Sequence, residues 1–315
     1  MPSIIFAERE LDLLEPFEHI AYPPDLVSVE PEHPSAVLLS LDTRGVPSKL
    51  RRVDVRTGAV QKGGTIRGCL RDAWLGTDLW ILTTYALHRV SNADLSVKKT
   101  LKVPHFLHRL IPLLSARFLA LSQIERKRTS VLSPSDGALQ VVTMPTPDIS
   151  IDQGDSCTVL SFWAGEARGF DGDLKPTRER RELPLGLSPI SSGGEILFLR
   201  ATREIARNVS PVQPDVTWLY PTGVLAMFSP DGWRVSREAR VGSLDRLLGV
   251  DGDGRIIATD QKKHTVALID PSTFRVDARH QFREQAFGIV QAGPFAVAYR
   301  PWSGHLRVID WSSTS

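Results

Sequence analysis

The chain has 315 residues, 42% of them hydrophobic and 7% aromatic, and its 38 Lys and Arg nearly balance 36 Asp and Glu for a formal net charge of +2. Near-neutrality argues against a protein that coats nucleic acid and leaves local patches as the electrostatic signal. Two cysteines, Cys69 and Cys157, are too few for a disulfide framework.

The N-terminus, Met1-Pro2-Ser3-Ile4-Ile5-Phe6-Ala7-Glu8, reaches acidic residues before a signal-peptide core could form. No apolar run is long enough to span a membrane, so the expected location is the cytoplasm. Further along, a hydrophobic run ending in a polar turn recurs. The turns begin at Val53, Val90, Leu132, Phe170, Phe228, Ile269 and Ile309, in steps of 37, 42, 38, 58, 41 and 40 residues. A unit of about 40 residues is the period of a four-stranded propeller blade. The expectation is a single all-β domain over residues 1–315, seven blades in a ring, each antiparallel.

Within the repeats, short apolar runs mark the second strand of each blade: Val37 to Leu41, Leu79 to Thr83, Phe118 to Ser122, Val159 to Trp163, Ile196 to Arg200, Arg255 to Thr259 and Phe295 to Tyr299. After the last turn too few residues remain for a fourth strand. An open edge there would be adhesive, so Ser3 to Glu8 is expected to supply the strand and pair with Leu306 to Ile309. The 58-residue step places an insertion at about 201–221 in the fifth blade. Its prolines and its Trp218 and Tyr220 predict a semi-rigid amphipathic segment, with both aromatics partly buried against the propeller face.

The segments Ala267-Leu268-Ile269-Asp270-Pro271-Ser272-Thr273 and Leu50-Arg51-Arg52-Val53-Asp54-Val55-Arg56-Thr57-Gly58 resemble the strand-turn-strand core of YVTN-type and quinoprotein-like seven-bladed propellers. WD40 proteins are a poorer match, because their Gly-His and Trp-Asp marks are absent. The resemblance is architectural and brings no catalytic residue with it. What it implies is geometry: the turns joining second to third strands share one open face with the blade-to-blade connections, and the remaining turns share the other.

Sorted this way, the open face carries Arg126, Lys127, Arg128, Lys262, Lys263 and Arg300 among an excess of basic residues, while the opposite face is rich in Asp. Asp in tight turns is expected for its own reason, because its side chain caps the local backbone. The basic excess has no such explanation. Trp302 adds an aromatic to that face beside Trp218 and Tyr220.

The starts of the innermost strands point to the channel mouth, with His19, Arg67, Cys69, His105, His108, Arg109, Asp148, Asp245, Arg246 and Gln285 as its expected lining. The leading expectation is a non-catalytic, monomeric scaffold that docks an acidic protein or an anionic small molecule, with no cofactor and no metal. The alternative is a cofactor-independent lyase, cyclase or isomerase using His105 or His108 as base and Arg67, Arg109 or Arg246 as anion clamp. Asp251-Gly252-Asp253-Gly254 lacks the further carboxylates of a calcium loop, and no P-loop, nucleophile elbow, zinc site or dinucleotide fingerprint occurs.

Overall fold

The computed structural model describes residues 4–12, 26–29, 36–40, 48–68, 70–104, 107–123, 128–207, 215–260, 262–282, 288–300 and 305–313. Every regular element among them is a β-strand. The first, β1 (Ile4–Asp12), stands apart from its neighbours in sequence. Sheet 1 follows with β2 (Leu26–Val29), β3 (Ala36–Ser40), β4 (Ser48–Asp54) and β5 (Val60–Ile66). Sheet 2 has β6 (Leu70–Leu75), β7 (Leu79–Thr83), β8 (Ala86–Val90) and β9 (Val97–Lys102), and sheet 3 has β10 (Leu107–Leu113), β11 (Phe118–Gln123), β12 (Arg128–Ser133) and β13 (Ala138–Thr143). Sheet 4 is β14 (Ile149–Gln153), β15 (Ser156–Ser161), β16 (Glu166–Phe170) and β17 (Pro176–Glu182), and sheet 5 is β18 (Gly186–Ser192), β19 (Glu195–Arg207), β20 (Asp215–Ser229) and β21 (Arg234–Arg240). Sheet 6 comprises β22 (Arg246–Val250), β23 (Ile256–Asp260), β24 (Thr265–Ile269) and β25 (Val276–Gln281). In the last sheet β26 (Gly288–Ala292), β27 (Phe295–Arg300) and β28 (His305–Ser313) are completed by β1. These four-stranded antiparallel sheets are the blades of a β-propeller. The first strand of each lies against the first strand of the next, and β26 lies against β2.

Burial explains why the middle strands were readable. The residues of β7, β23 and β24 are all buried, because each sheet has a neighbour on both faces and its second and third strands read as continuous apolar runs. Outer strands such as β17 and β25 are largely exposed or alternate. The core is therefore divided among the spaces between sheets. Leu197, Leu199 and Leu225 of sheet 5 meet Leu247, Ile256 and Ala258 of sheet 6, and Val53 and Val55 of sheet 1 meet Val297, Leu306 and Val308 of the last sheet. Each buried Leu, Val or Phe side chain contributes about 1.5–3 kcal/mol, whereas an exposed ion pair contributes about 1 kcal/mol or less. Apolar burial between sheets thus dominates stability.

The recurring Asp residues are turn caps. Asp54 accepts from the N–H groups of Arg56 and Thr57, Asp136 from Ala138, Asp171 from Asp173 and Lys175, and Asp270 from Ser272 and Thr273. Hydrogen bonds from Ser91 and Ser96 hold the Asp94 carboxyl at about 2, below its usual 3.8. Much of the acidity expected of that face is accordingly local turn chemistry.

β1 is antiparallel to β28 from Ile4↔Ser313 to Asp12↔His305, with Glu8 opposite Ile309. The pairing is longer than the Ser3 to Glu8 strand expected from sequence and runs on to Asp12. Ile4 and Phe6 pack toward sheet 6, while Leu11 packs toward sheet 1, where the Arg9 guanidinium also donates to the Val55 carbonyl. Glu8 lies 2.9 Å from His280 of sheet 6, and Glu10 pairs with Arg307 of β28.

In its described residues the insertion is β-structure. β19 and β20 simply stay paired beyond the sheet, from Ala201↔Pro221 to Arg207↔Asp215, as a projecting two-stranded ribbon. At its base Gly223 adopts φ +74°, and a Cβ there would meet the Gly242 carbonyl oxygen at 2.4 Å. The Arg203 side chain donates to the Trp163 carbonyl 3.1 Å away in sheet 4, and Leu219, its cross-strand partner, is buried. Trp218 and Tyr220 alternate with Leu219, so they occupy the opposite face and are 50% and 46% exposed. They are more exposed than the partial burial against the propeller face that the sequence predicts.

Removing residues 1–12 should expose the β28 edge and strip apolar cover from two inter-sheet clusters. The expected result is a melting temperature lower by ~5 °C or more. A melting curve identical to that of the intact chain would contradict the role given to β1.

Candidate functional site

In an antiparallel sheet the first strand starts where the second ends, so Arg109 pairs with Ser122 and Arg246 with Thr259 at one end of the propeller. A cavity of about 940 Å³ runs along the first strands, from Arg71, His108 and Arg246 at this end to Leu75, Pro112 and Val250 at the other. Arg71 of β6, His108 and Arg109 of β10, Arg246 of β22 and Asp148, which precedes β14, all line it. Four of the residues expected at the mouth are thus brought together: His108, Arg109, Asp148 and Arg246.

Arg71 and Asp72 also line the cavity, and the sequence reading passed over both. The signal was present, since Leu70-Arg71-Asp72 opens β6 just as Leu107-His108-Arg109 opens β10. Trp163 joins them from the turn after β15, and Gln291 from β26. The Gln291 amide crosses to donate to the Val250 carbonyl at 2.9 Å, passing over Gly249, where a Cβ would stand 2.0 Å from its side-chain oxygen.

The two carboxylates are committed to the scaffold. Asp72 accepts from the backbone N–H of Leu110 at 2.7 Å and of Ala73 at 2.9 Å, so it ties sheet 2 to sheet 3. Asp148 accepts from Trp163 N–H at 3.1 Å. Crowding by protein raises the pKa of each carboxyl above its usual 3.8, with backbone hydrogen bonds opposing the shift. Arg109 acts on both carboxyls, and Arg246 also acts on Asp72, although their sheets are not neighbours. Side chains from separated sheets therefore share one field across the channel.

The guanidinium-bearing side chains of Arg71, Arg109 and Arg246 are exposed within this cavity. His108 is half-buried, and its pKa is lowered from 6.5 by burial and by the nearby Arg71 charge. Its imidazole is neutral at neutral pH. The arrangement gathers three guanidinium groups on one cavity with two carboxylates that accept from backbone N–H groups.

The other expected site residues are dispersed or undescribed. Arg67 stands 6.0 Å over the Tyr85 ring at the rim. Arg128 opens β12, and Lys262 and Lys263 are exposed in the turn after β23; the Lys263 ammonium lies 3.5 Å from Asp260. His105, Arg126, Lys127 and Trp302, with the Arg300 side chain, lie outside the described residues, as do His19, Cys69 and Gln285. Among the described residues no three His, Cys, Asp or Glu side chains group as metal ligands, and no helix is long and apolar enough to cross a membrane. Burial raises the Cys157 thiol to about 11, which leaves it protonated and unreactive.

Asp72→Ala leaves the Leu110 N–H without its acceptor and should destabilise the fold by about 1–3 kcal/mol. Asp72→Asn keeps one acceptor and should cost less. Because the folded-state pKa of Asp72 is raised, proton uptake favours the folded wild type as pH falls from neutral toward the unfolded value. Urea unfolding at pH 7 and pH 4.5 should show wild type gaining on Asp72→Asn at the lower pH. A constant difference between the two would contradict the placement of Asp72.

No protein-family profile matches this chain, and no curated protein matches it in sequence. Solved structures do match in shape. A hydrazine synthase chain from Kuenenia stuttgartiensis superposes with TM-score 0.65 at 13% identity, covering 95% of this chain and 99% of that one. The Pan2 WD40 domain of Neurospora crassa gives 0.61 at 9% identity, with coverage of 93% and 90%. The N-terminal BBS1 structure, solved in complex with ARL6DN, gives 0.55 at 11% identity, with coverage of 87% and 86%. At these identities the likeness is one of fold.

Proposed function

We propose that the seven sheets form a single ring closed by β1, and that the ring is a non-catalytic binding module receiving an acidic protein or anionic ligand on the face where the channel opens. One observation carries this reading: Arg71, Arg109 and Arg246, from three different sheets, line one cavity whose carboxylates, Asp72 and Asp148, are bonded to backbone N–H groups. A rigid ring fixes the positions of these cations before a partner arrives, so little ordering entropy is lost on binding. Propeller structures similar to this chain include one solved with a partner protein, which supports a docking role.

A second reading is favoured by His108. A neutral imidazole in the same cavity could accept a proton from an anion clamped by Arg109 and Arg246, as a lyase or isomerase requires. Its mark would be turnover of a bound anion that His108→Ala abolishes while binding persists.

Retention on immobilised polyaspartate, eluted by a salt gradient, tests the binding reading. Arg109→Glu with Arg246→Glu should elute at clearly lower salt than wild type. Lys99→Glu with Lys102→Glu, the same charge change placed on outer strand β9, should shift elution much less. Equal shifts for the two pairs would reduce the effect to net charge and overturn the site.

A further inference from the structure

We propose that the channel mouth takes its ligand as a polypeptide segment, acidic where it enters the cavity and apolar where it leaves across the β19–β20 ribbon. This rests on the anion-binding reading above and names the partner class. The first observation is spacing. Arg71, Arg109 and Arg246 begin three separate inner strands, and Arg246 lies on a sheet that does not adjoin that of Arg71. Cations spread around a cavity of about 940 Å³ suit several carboxylates carried along a chain better than one compact anion. Arginine forks match carboxylates bidentately, as a run of acidic side chains would present them.

The second observation is independent of charge. The ribbon extends past Arg200, which pairs with Gly186 at the start of β18, so it rises from the same end of the propeller as the cavity mouth. Tyr220 lies opposite Thr202 and Trp218 opposite Glu204, so these four side chains share one face. Both aromatics are exposed there, while the other face is held to sheet 4 through Arg203. Exposed Trp and Tyr on a pinned, projecting element form the kind of anchor that carries binding energy in protein interfaces. A small anion filling the cavity would leave this surface unused. A polypeptide is long enough to reach it from the cavity, because both lie at the same end of the propeller.

The test uses fluorescence anisotropy with three labelled synthetic peptides: six glutamates followed by Leu-Phe-Leu, six glutamates alone, and six glutamines followed by Leu-Phe-Leu. The first peptide should bind the intact chain, and the glutamine peptide should bind about tenfold more weakly or not at all. Arg109→Glu with Arg246→Glu, and separately the milder Arg109→Gln with Arg246→Gln, should each weaken the first peptide about tenfold or more, with circular dichroism confirming the fold. Trp218→Ser with Tyr220→Ser should weaken the first peptide several-fold and leave hexaglutamate alone unchanged. Equal binding of the glutamate and glutamine peptides, or indifference to the arginine variants, overturns the proposal. Citrate or inorganic phosphate binding in an arginine-dependent way while no peptide binds overturns the polypeptide class and leaves the anion site standing. Arginine-dependent binding of no probe overturns both.

Discussion

Everything in this structure depends on the fact that a four-stranded blade has two apolar faces and can hide neither by itself. Leu50 and Ile66 are buried only because sheet 2 covers them, Trp80 and Leu82 because sheet 3 does, and so on through sheet 6 to Ile309 and Trp311 of the last sheet. The first and last sheets of such a series need contact as well. Val53 and Val55 against Val297 and Val308 make that contact, and β1 supplies the strand the last sheet needs while touching the sheets on either side. Individual polar links between neighbours, such as the Trp311 indole donating to Asp251 at 3.0 Å, fix the alignment and add modestly to the energy.

The same constraint produces the site. Sheets packed face to face about an axis cannot bring their inner strands into full contact, so a cavity remains along the first strands, including the end where they begin. Those first residues escape the core requirement that makes the second and third strands apolar. Arg71, His108, Arg109 and Arg246 occupy such positions, and the charges of Arg109 and Arg246 act on Asp72, whose backbone bonds brace sheet 2 to sheet 3. Asp72 therefore serves the scaffold and shapes the field of the cavity. The ribbon arises just as economically, because β19 and β20 keep pairing after the inner and outer strands have stopped.

How much was legible follows from which physical demands write themselves into local sequence. Burial on both faces leaves a continuous apolar run, so β7 at Leu79–Thr83 and the start of β27 at Phe295 were read without error. Turn geometry demands Asp and Gly, so the repeat was visible. Outer strands such as β17, mostly Arg and Glu, carry no such mark. The ribbon was legible as extra length but not as paired strands, because Thr202 to Glu204 lacks the apolar alternation of a half-buried strand. Convergence across the axis is the least legible property of all. Arg246 and Asp72 are far apart in sequence and on non-adjacent sheets, and only the shared cavity brings them within reach of one another.

The central claim is that the channel mouth, and not the capped-turn face, is the working surface. Hydrogen–deuterium exchange with and without saturating polyaspartate tests it directly, since both ends of the propeller report in one experiment. The account predicts added protection at residues 70–73, 107–110 and 246–248, with none at the turns 133–137 and 270–275. Protection confined to those turns, or the same at both ends, would contradict it.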